Sequence, residues 1–479
     1  MITYDKLLVG GVWTAPAETR VLEVRSPHDQ SVVGVVPEAD RADVDRAVAA
    51  ARQAFDSGPW PRTSPEERAE VVGRFSDLHA ARADELAALI TSENGSASWF
   101  TTMLQHGLKT QTANFLRAAA DFDWETDLPG QDGHRTVVRR APVGVVAAVI
   151  PWNAPHQSAL VKVVPALLAG CTVILKPSPE TAVDGLRLAE ILAEAGFPEG
   201  VVSVLPADRE VSAYLIAHPG VDKIAFTGST AAGRHIAAAA GEQFKRVSLE
   251  LGGKSASIVL PDADPAQVAG ALQWISLANN GEACIAHTRI LAARSRYDEV
   301  VGAIAEMMST LKVGDPALPD TWIGPMVKQA QQDRVQSYIE SGIAEGARVV
   351  VGGLGAPDTP GLEKGFYVRP TLFADVDNSM RIAQEEIFGP VLTVIPFGTE
   401  DEAVAIANDS PYGLSGGVWT ADPEHGLDLA RRIRTGTFHV NGASRDMRAP
   451  FGGFKASGVG REYGAVGLGA YTEYQSIGL

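Results

Sequence analysis

The sequence contains little cysteine and no cluster of residues that would bind a metal. Its 479 residues include 2 cysteines, Cys171 and Cys284, which are too few for the disulfide framework of a small secreted protein. Neither cysteine lies in a C-x-x-C pair or in a histidine cluster, so no zinc site is predicted. The two thiols are therefore either core residues or reactive groups.

Long hydrophobic runs and an excess of basic residues are also missing. The longest apolar run, Ala141 to Ile150, is too short to cross a bilayer, and the first residues lack the basic segment and apolar core of a signal peptide. The 41 basic residues are outnumbered by 58 acidic ones, which gives a net charge of −17 and disfavours nucleic acid and anionic membranes as partners. We expect a cytoplasmic protein that binds neither.

Two common phosphate-binding patterns are absent as well. The segment GSTAAGRH spaces its glycines as a P-loop does, but Arg234 and His235 stand where a P-loop needs lysine and then serine or threonine. The G-x-G-x-x-G fingerprint of ordinary dehydrogenases is also missing. Gly228, Ser229 and Thr230 can still form a helix N-terminus that binds a pyrophosphate, or a capped helix without any ligand.

The pattern of strands and helices predicts an α/β protein with a Rossmann-like cofactor domain on a parallel sheet. From Val143 onward, short β-branched runs alternate with alanine- and leucine-rich helical segments, as a parallel sheet covered on both faces requires. The residues that follow three of these runs, 151–153, 176–178 and 227–229, are predicted to lie at one rim of the sheet.

A second α/β section follows Cys284, and the glycine-rich C-terminal stretch ends in a strand-like pattern that would leave an exposed edge. Before Val143, a capping box at Ser64 and Glu67 predicts the start of a helix, and Asn94-Gly95 predicts the end of another. We predict three parts: a cofactor domain at 1–122 and 143–250, a second α/β catalytic domain at 251–456, and a small β oligomerisation element at 123–142 and 457–479.

Glu250 and Cys284 are the candidate catalytic pair. A cysteine attacks as the thiolate, of which only a few per cent forms at neutral pH unless a base or a dipole assists. Glu250 follows an apolar run, where burial would raise its pKa and let it take a proton from the thiol or from water. Gly252 and Gly253 would allow a ligand to approach the backbone. Alternatively, Cys284 is a small core residue and Glu250 a solvated charge.

Seven motifs in order resemble the aldehyde dehydrogenase superfamily. They are PWN at 151–153, LKPSPET at 175–181, FTGST at 226–230, LELGGKS at 249–255, GEACIAHTRI at 281–290, EEIFGPV at 385–391 and PFGGFKASGVGRE at 450–462. The resemblance covers the chain from about Tyr4 to its end. It implies NAD(P)-dependent oxidation of an aldehyde to a carboxylic acid, through a cysteine thiohemiacetal and thioester, by a homodimer or homotetramer.

The resemblance also implies a role for each matching residue. Cys284 would attack the aldehyde, Asn153 would hold the oxyanion with the Cys284 backbone N–H, Glu250 would activate the hydrolytic water, and Glu462 would be a second carboxylate on the proton path. The cofactor, NAD or possibly NADP in its place, would be bound by Trp152, Lys162, Lys176, Glu180, Gly228, Ser229, Gly252, Glu386 and Phe388. The substrate would contact Ala154, Gln157, Val161, Ile285 and Phe451.

The predicted substrate residues indicate a wide, apolar tunnel. Ala154, Gln157 and Val161 stand where many relatives that use small aldehydes have larger groups, and no cationic residue is evidently placed among them. Arg445 and Arg448 lie in a loop whose direction the sequence does not give. We expect a bulky, uncharged aldehyde, aromatic or long-chain aliphatic.

Two positions depart from the family pattern. Pro179 occupies the place of a ribose-binding glutamate, and Glu180 follows one residue later, so the preference for NAD over NADP is less secure. Glu282 replaces a common glutamine before the nucleophile, and its negative charge would oppose thiolate formation unless the carboxylate is solvated or paired.

Several alternatives remain at this stage. Release of the thioester to coenzyme A is disfavoured by Glu250, and a non-catalytic scaffold is disfavoured by the intact set of reactive residues. A cysteine–histidine hydrolase dyad of Cys284 with His287 would not need a dinucleotide rim. Cys171 is predicted to lie in the core, and His156 and His439 either line the site entrance or are solvated.

Overall fold

The computed structural model describes residues 1–130 and 133–479. Its strands are β1 (Ile2–Thr3), β2 (Leu7–Val9), β3 (Val12–Thr14), β4 (Val21–Arg25), β5 (Val32–Pro37), β6 (Glu125–Pro129), β7 (Arg135–Pro142), β8 (Val145–Val149), β9 (Thr172–Lys176), β10 (Val202–Val204), β11 (Lys223–Thr227), β12 (Arg246–Glu250), β13 (Ser255–Val259), β14 (His287–Ala293), β15 (Arg348–Val351), β16 (Thr371–Ala374), β17 (Val391–Phe397), β18 (Gly416–Trp419), β19 (His439–Val440), β20 (Gly458–Val459) and β21 (Thr472–Gly478). Its helices are α1 (Arg41–Asp56), α2 (Pro65–Ala80), α3 (Ala83–Asn94), α4 (Ser98–Ala120), α5 (Pro155–Ala169), α6 (Ala182–Glu194), α7 (Arg209–Ala217), α8 (Thr230–Glu242), α9 (Pro265–Ser276), α10 (Tyr297–Ser309), α11 (Gln329–Ala344), α12 (Arg381–Gln384), α13 (Glu400–Asn408), α14 (Pro423–Ala430) and α15 (Gly464–Gly469).

The first large sheet has the strand order β20-β12-β11-β8-β9-β10-β2-β3. Its five central strands, β12, β11, β8, β9 and β10, are parallel. Chain order runs outward from β8 in both directions, so the order reverses between β8 and β11, where a Rossmann-type sheet opens its ligand crevice. The predicted α/β class with a parallel, Rossmann-like sheet is confirmed.

Both faces of this sheet are buried, because successive residues of a strand point to opposite sides. Val145, Ala147 and Val149 of β8 belong to one apolar cluster, with α1, α7 and α8 residues. Val146 and Ala148 belong to the other, with α2, α5 and α6 residues. The apolar character of the whole strand thus follows from burial on both faces.

The two helix ends predicted from the N-terminal sequence are present in the structure. Ser64 Oγ accepts a hydrogen bond from the backbone N–H of Glu67 (3.2 Å), and Glu67 Oε2 accepts one from the N–H of Ser64 (2.9 Å), which completes the capping box of α2. Gly95 ends α3 with a left-handed φ of 78°. No helix of the described residues combines the length and the apolar character needed to cross a membrane.

The second large sheet has the order β15-β16-β17-β14-β13-β18-β19 and is parallel except for the β15–β16 pair. The sequence patterns predicted its strands apart from β16, whose short run TLFA lies in a long irregular segment. Two further apolar clusters cover its two faces. Residues 251–254 connect β12 of the first sheet directly to β13 of the second.

A small sheet of order β21-β7-β6 stands apart from both large sheets. It combines two segments of the predicted oligomerisation element, although β20 of that element instead pairs with β12 in the cofactor sheet. Residues 131 and 132 of the predicted element lie outside the described residues. The remaining small sheet, β1-β5-β4, belongs to the N-terminal segment.

Candidate active site

Two cavities meet at Cys284. One has a volume of about 360 Å³ and the other of about 250 Å³. Asn153, Thr227 and Cys284 line both of them. The larger cavity also contains the other predicted catalytic and substrate residues, namely Glu250, Glu462, Ala154, Gln157, Val161, Ile285 and Phe451. The smaller cavity contains Trp152, Gly228, Ser229, Gly252, Glu386 and Phe388. The structure thus brings most of the predicted residues together around one thiol.

Adjacent strand ends place the reactive side chains at this point. Asn153 follows β8, Thr227 ends β11 and Glu250 ends β12, and these three strands are neighbours in the parallel sheet. The chain then crosses to the second sheet through Gly252 and Gly253. A Cβ on Gly253 would lie 2.3 Å from the carbonyl oxygen of Cys284, so only glycine permits the crossing so close to the nucleophile.

The turn before Cys284 is held by two asparagines in the left-handed conformation. Asn279 has a φ of 55° and Asn280 a φ of 59°, values that asparagine tolerates better than most residues. The Asn280 amide donates to the carbonyls of Gly95 (3.0 Å) and Pro325 (3.1 Å). The Asn279 amide donates to the Asn153 carbonyl at 2.9 Å. These two residues were missed from the sequence, where the NN dipeptide gives only a general turn signal.

The Asn153 amide lies beside the nucleophile's backbone. Its Nδ2 donates one hydrogen bond to the carbonyl oxygen of Glu282 at 2.8 Å. An amide nitrogen carries two hydrogens, so a second one remains for an oxygen atom bound in the cavity. This arrangement can stabilise an oxyanion next to Cys284.

Most of the surroundings of Cys284 disfavour the ionised form of its thiol. Burial and, to a smaller extent, the charges of Glu386 and Glu250 raise its pKa to about 12, against the opposing charge of Arg445. Because the thiolate is the attacking form, any group that stabilises the anion here contributes directly to reactivity.

Glu250 sits in a buried carboxyl pair. Burial and the charge of Glu462 raise its pKa well above the usual range, against the opposing charges of Lys162, Arg461 and Arg445. A carboxyl group with such a raised pKa is a stronger base once ionised. Its Oε2 has no hydrogen-bond partner among the described residues, which leaves it available to a water.

Lys162 lies in a buried ion pair beside the site. Its ammonium is fully buried and contacts Glu462 Oε1 and Thr227 Oγ1, both at 2.6 Å. It does not line the smaller cavity, and its role in binding the cofactor stays a prediction. A buried ammonium requires a carboxylate partner, and Glu462 of the distant GRE motif supplies it.

The smaller cavity is built to hold a polar, extended ligand. Ser229 caps α8, whose N-terminal N–H groups face this rim. Glu386 Oε1 accepts from the Gly253 N–H at 2.9 Å, and burial raises its pKa to about 7. A Cβ on Gly252 would lie 2.5 Å from Glu386 Oε2. Trp152 and Phe388 meet edge to face, with ring centroids 5.6 Å apart.

Two further residues line this cavity that the sequence did not reveal. Gln331 Nε2 donates to the carbonyl of Phe388 at 2.6 Å, and Arg334 donates to the carbonyls of Glu386 and Ile387. Both belong to α11, between β14 and β15 of the second large sheet in chain order, and their helix has no motif that would single them out.

Comparison with known proteins gives the family. The sequence model of the aldehyde dehydrogenase family matches residues 13–477. The chain belongs to the aldehyde dehydrogenase family. It is 47% identical over 479 residues to the geranial dehydrogenase of Castellaniella defragrans, covering 100% of this chain and 99% of that protein.

Solved structures of the family superpose closely on the chain. An aldehyde dehydrogenase of Mycobacterium tuberculosis complexed with NAD⁺ has a TM-score of 0.96 and 48% identity, covering 99% of this chain and 98% of that one. A mutant of aldehyde dehydrogenase C from Pseudomonas syringae, complexed with NAD⁺ and octanal, has a TM-score of 0.93 and 44% identity, covering 99% and 96%.

Two predicted cofactor residues of this aldehyde dehydrogenase lie outside the smaller cavity. Lys176 ends β9, where burial lowers its pKa to about 8. Glu180 accepts from Ser178 Oγ and forms an ion pair with Lys328 at 2.5 Å. Lys328 precedes α11, so this pair joins the two α/β parts of the chain.

Glu282, which stands where the family commonly has glutamine, lies in surroundings that change its expected effect on the Cys284 thiol. Glu282 is fully buried, and burial raises its pKa well above the usual range. Its Oε1 accepts from the N–H of Val327 at 3.3 Å. Burial thus favours the neutral form of Glu282, which reduces the negative charge that would oppose the Cys284 thiolate.

The remaining histidines and cysteine do not join the reactive cluster. His156 is buried and contacts His79 at 2.9 Å, which corrects its suggested place at the entrance or in solvent. His287 faces Ser415 Oγ at 3.3 Å, and no hydrogen bond joins it to Cys284 among the described residues. Cys171 lies in the core, with its Sγ directed at the carbonyl of Tyr471.

Proposed function

We propose that this aldehyde dehydrogenase oxidises a bulky, largely apolar aldehyde to its carboxylate with NAD⁺, and uses Cys284 as the nucleophile. The observation that carries the proposal is the meeting of an apolar tunnel and a polar cavity at one thiol, beside an amide donor and a buried carboxyl. The geranial dehydrogenase and the octanal complex among the relatives support a substrate larger than acetaldehyde.

The smaller cavity fits a dinucleotide cofactor. The N-terminus of α8 suits a pyrophosphate, the carboxylate of Glu386 suits ribose hydroxyls, and the missing Cβ at Gly252 keeps that carboxylate accessible. We infer that Trp152, Gly228, Ser229, Glu386 and Phe388 hold NAD⁺. When bound, the nicotinamide accepts the hydride released from the substrate carbon.

The chain's own residues would divide the chemistry between them. The Cys284 thiolate attacks the aldehyde carbon, and the oxygen of the new thiohemiacetal is held by the Asn153 amide and the Cys284 N–H. Loss of hydride leaves an acyl thioester on Sγ. Glu250 takes a proton from a water, whose oxygen attacks the thioester and releases the carboxylate and the thiol.

The proton accepted by Glu250 has a short route onward. Glu462 interacts with Glu250 by charge and holds the Lys162 ammonium at 2.6 Å. We propose that this buried chain of ionisable groups returns the proton to solvent. We also retain two expectations from the sequence, assembly as a homodimer or homotetramer and a cytoplasmic location, as predictions.

A panel of aldehydes tests the function. NADH formation would be measured with acetaldehyde, octanal, a branched terpenoid aldehyde and a benzylic aldehyde, with Cys284→Ala as the inactive control. We expect a higher kcat/KM for the larger aldehydes. A value for acetaldehyde that equals or exceeds them would refute the substrate class, and turnover only with added coenzyme A would refute hydrolytic release. Absence of any Cys284-dependent turnover would indicate a non-catalytic scaffold.

A further inference from the structure

Arg445 is a half-buried cation in the wall of the substrate tunnel. Its guanidinium carbon lies 4.5 Å from the ring centroid of Phe451 and 4.7 Å from that of Tyr463. One Nη donates to Met447 Sδ at 2.9 Å. No carboxylate lies within ion-pair distance of it in the described part of the chain. The sequence alone did not indicate which way this side chain points.

The same loop contains an arginine with the opposite environment. Arg448 is exposed and pairs with Asp446, with its Nη2 2.6 Å from a carboxylate oxygen. Arg448 is thus an ordinary surface ion pair, of the kind that contributes little. Arg445 instead is half-buried in the cavity wall and has no carboxylate within ion-pair distance among the described residues.

The two aromatic rings fix the position of this charge. Phe451 and Glu462 exchange backbone hydrogen bonds of 2.8 and 2.7 Å, and Tyr463 follows directly. The ring of Tyr463 also stacks on Phe115 at 6.0 Å. A cation held against such ring faces is stabilised by their quadrupoles.

The charged groups around Cys284 indicate what this cation does. Glu386 and Glu250 act against the thiolate by charge, and Arg445 acts in its favour. Lys162 is bound to Glu462, Arg461 donates to the backbone carbonyls of Gly453 and Gly460, and neither of these two cations lines the cavity at Cys284. Arg445 is therefore the cation that lines the same cavity as the thiol.

We propose that Arg445 is a positioning residue whose charge, held between Phe451 and Tyr463 in the wall of the cavity that Cys284 also lines, stabilises the Cys284 thiolate. The inference rests on the proposed role of Cys284 as nucleophile. The guanidinium lies over two ring faces in a cavity that is otherwise lined mainly by apolar residues, so an apolar substrate and a cation can share it. The charge serves the nucleophile and does not recognise a charged group on the substrate.

The rate at which neutral iodoacetamide alkylates Cys284 tests this directly, without any aldehyde or cofactor. Rates would be followed from about pH 6 to about pH 9 by mass spectrometry, with Cys284→Ala as the blank for Cys171. In Arg445→Met we expect the rate below the thiol's pKa to fall about tenfold, the effect of a pKa rise of about one unit. Arg445→Lys should restore part of the rate, and Arg448→Met should change nothing.

Two results would overturn the proposal. One is an alkylation profile for Arg445→Met equal to that of the wild type. The other is a loss confined to the anionic reagent iodoacetate, which would assign Arg445 to binding carboxylates of substrates. Arg445→Gln, a polar uncharged replacement, keeps the test decisive if the Met variant does not fold. An enzyme inactive on all aldehydes would refute the proposed function but leave this measurement valid.

Discussion

Burial and the charge of a second carboxyl group raise the pKa of Glu250, and three cations oppose that shift. Burial and the neighbouring charge make Glu250 a stronger base once it is ionised. This property suits the step in which Glu250 takes a proton from the water that attacks the thioester.

The variant Glu250→Gln separates the two half-reactions. We expect a burst of NADH equal to about one per active site, followed by a steady rate at least about 10²-fold below the wild type, the usual loss of a general base. Stopped-flow absorbance measures both phases, and Cys284→Ala should give no burst. Wild-type turnover by Glu250→Gln would contradict the assignment of the base.

Glu282 makes the folded protein less stable as the pH rises. Its pKa is raised in the folded state, so the folded chain binds more protons than the unfolded chain above the ordinary carboxyl pKa. Stability therefore falls by up to about 1.4 kcal/mol per pH unit until the raised pKa is passed. Below the ordinary carboxyl pKa, Glu282 is protonated in both the folded and the unfolded chain and does not change the free energy of unfolding with pH.

Glu282→Gln removes this dependence while keeping an oxygen that can accept from Val327 N–H. We expect a higher apparent Tm than the wild type at about pH 8 and a smaller difference at about pH 5. Differential scanning fluorimetry at fixed heating rate measures both, with Glu242→Gln at an exposed position as the matched control. A lower Tm for Glu282→Gln at every pH would show that the carboxyl is needed for another reason.

At the scale of elements, we propose that α5 sets the size of the substrate. Asn153 and Ala154 precede the helix, and Gln157, Ser158 and Val161 follow on one face at helical spacing, so all five line the tunnel. A single change at the start of this helix should therefore act on substrate size without moving the reactive groups.

Ala154→Phe should fill part of the tunnel and shift preference towards small aldehydes. Each buried methylene of a substrate contributes about 0.8 kcal/mol, so loss of room for several carbons should lower kcat/KM for octanal by about 10-fold or more. The value for acetaldehyde should change far less. Steady-state kinetics on both substrates decide this, with Ala154→Ser as the small control, and an equal loss for both would contradict a tunnel formed by α5.

The ion pair between Glu180 and Lys328 connects a turn after β9 to the start of α11. A carboxylate near the adenosine ribose repels a 2′-phosphate, whereas a lysine would attract one. We expect the wild type to prefer NAD⁺. In Glu180→Gln the freed lysine should raise kcat/KM for NADP⁺ by about tenfold, on the scale of one lost charge interaction.

Glu180→Gln combined with Lys328→Ala provides the matched control, because it removes both charges. Its gain with NADP⁺ should be smaller than that of Glu180→Gln alone. If neither variant changes the ratio of kcat/KM for the two cofactors, Glu180 lies too far from the ribose to act on it.

Sequence patterns predicted the elements well where one local cause dominates. Burial on both faces made β8 apolar throughout, and capping chemistry fixed the start of α2. They revealed less where the cause is distant in the chain: Lys162 is buried against Glu462, 300 residues later, and the pKa of Glu282 is raised because the fold buries its carboxyl. Arg445 likewise depends on two rings that only the fold brings to it.

At the scale of the whole molecule, the two large sheets meet where the reaction is proposed. Residues 251–254 leave the first sheet at Glu250 and enter the second at Ser255. The thiol comes from the second sheet's side and the proposed base from the first. Relative movement of the two parts would separate Cys284 from Glu250, which gives the interdomain contacts of Asn280 and Lys328 a direct effect on geometry.

The sheet β21-β7-β6 has an edge that no strand of the described residues covers, on the outer side of β21. Tyr474 is 73% exposed and Ile477 37% exposed on that strand. An uncovered edge with apolar side chains favours pairing with another chain. We propose that this sheet forms the contact of the predicted homodimer or homotetramer.

Charged substitutions on β21 should therefore dissociate the assembly. We expect the wild type to give the mass of a dimer or tetramer by light scattering after gel filtration, and the double variant Tyr474→Lys and Ile477→Lys to shift towards the monomer because two lysines oppose each other across the edge. Leu318→Lys changes an exposed leucine of the second domain (46% exposed) and should leave the mass unaltered. A monomeric wild type, or an unchanged mass in the double variant, would mean that this edge does not pair between chains.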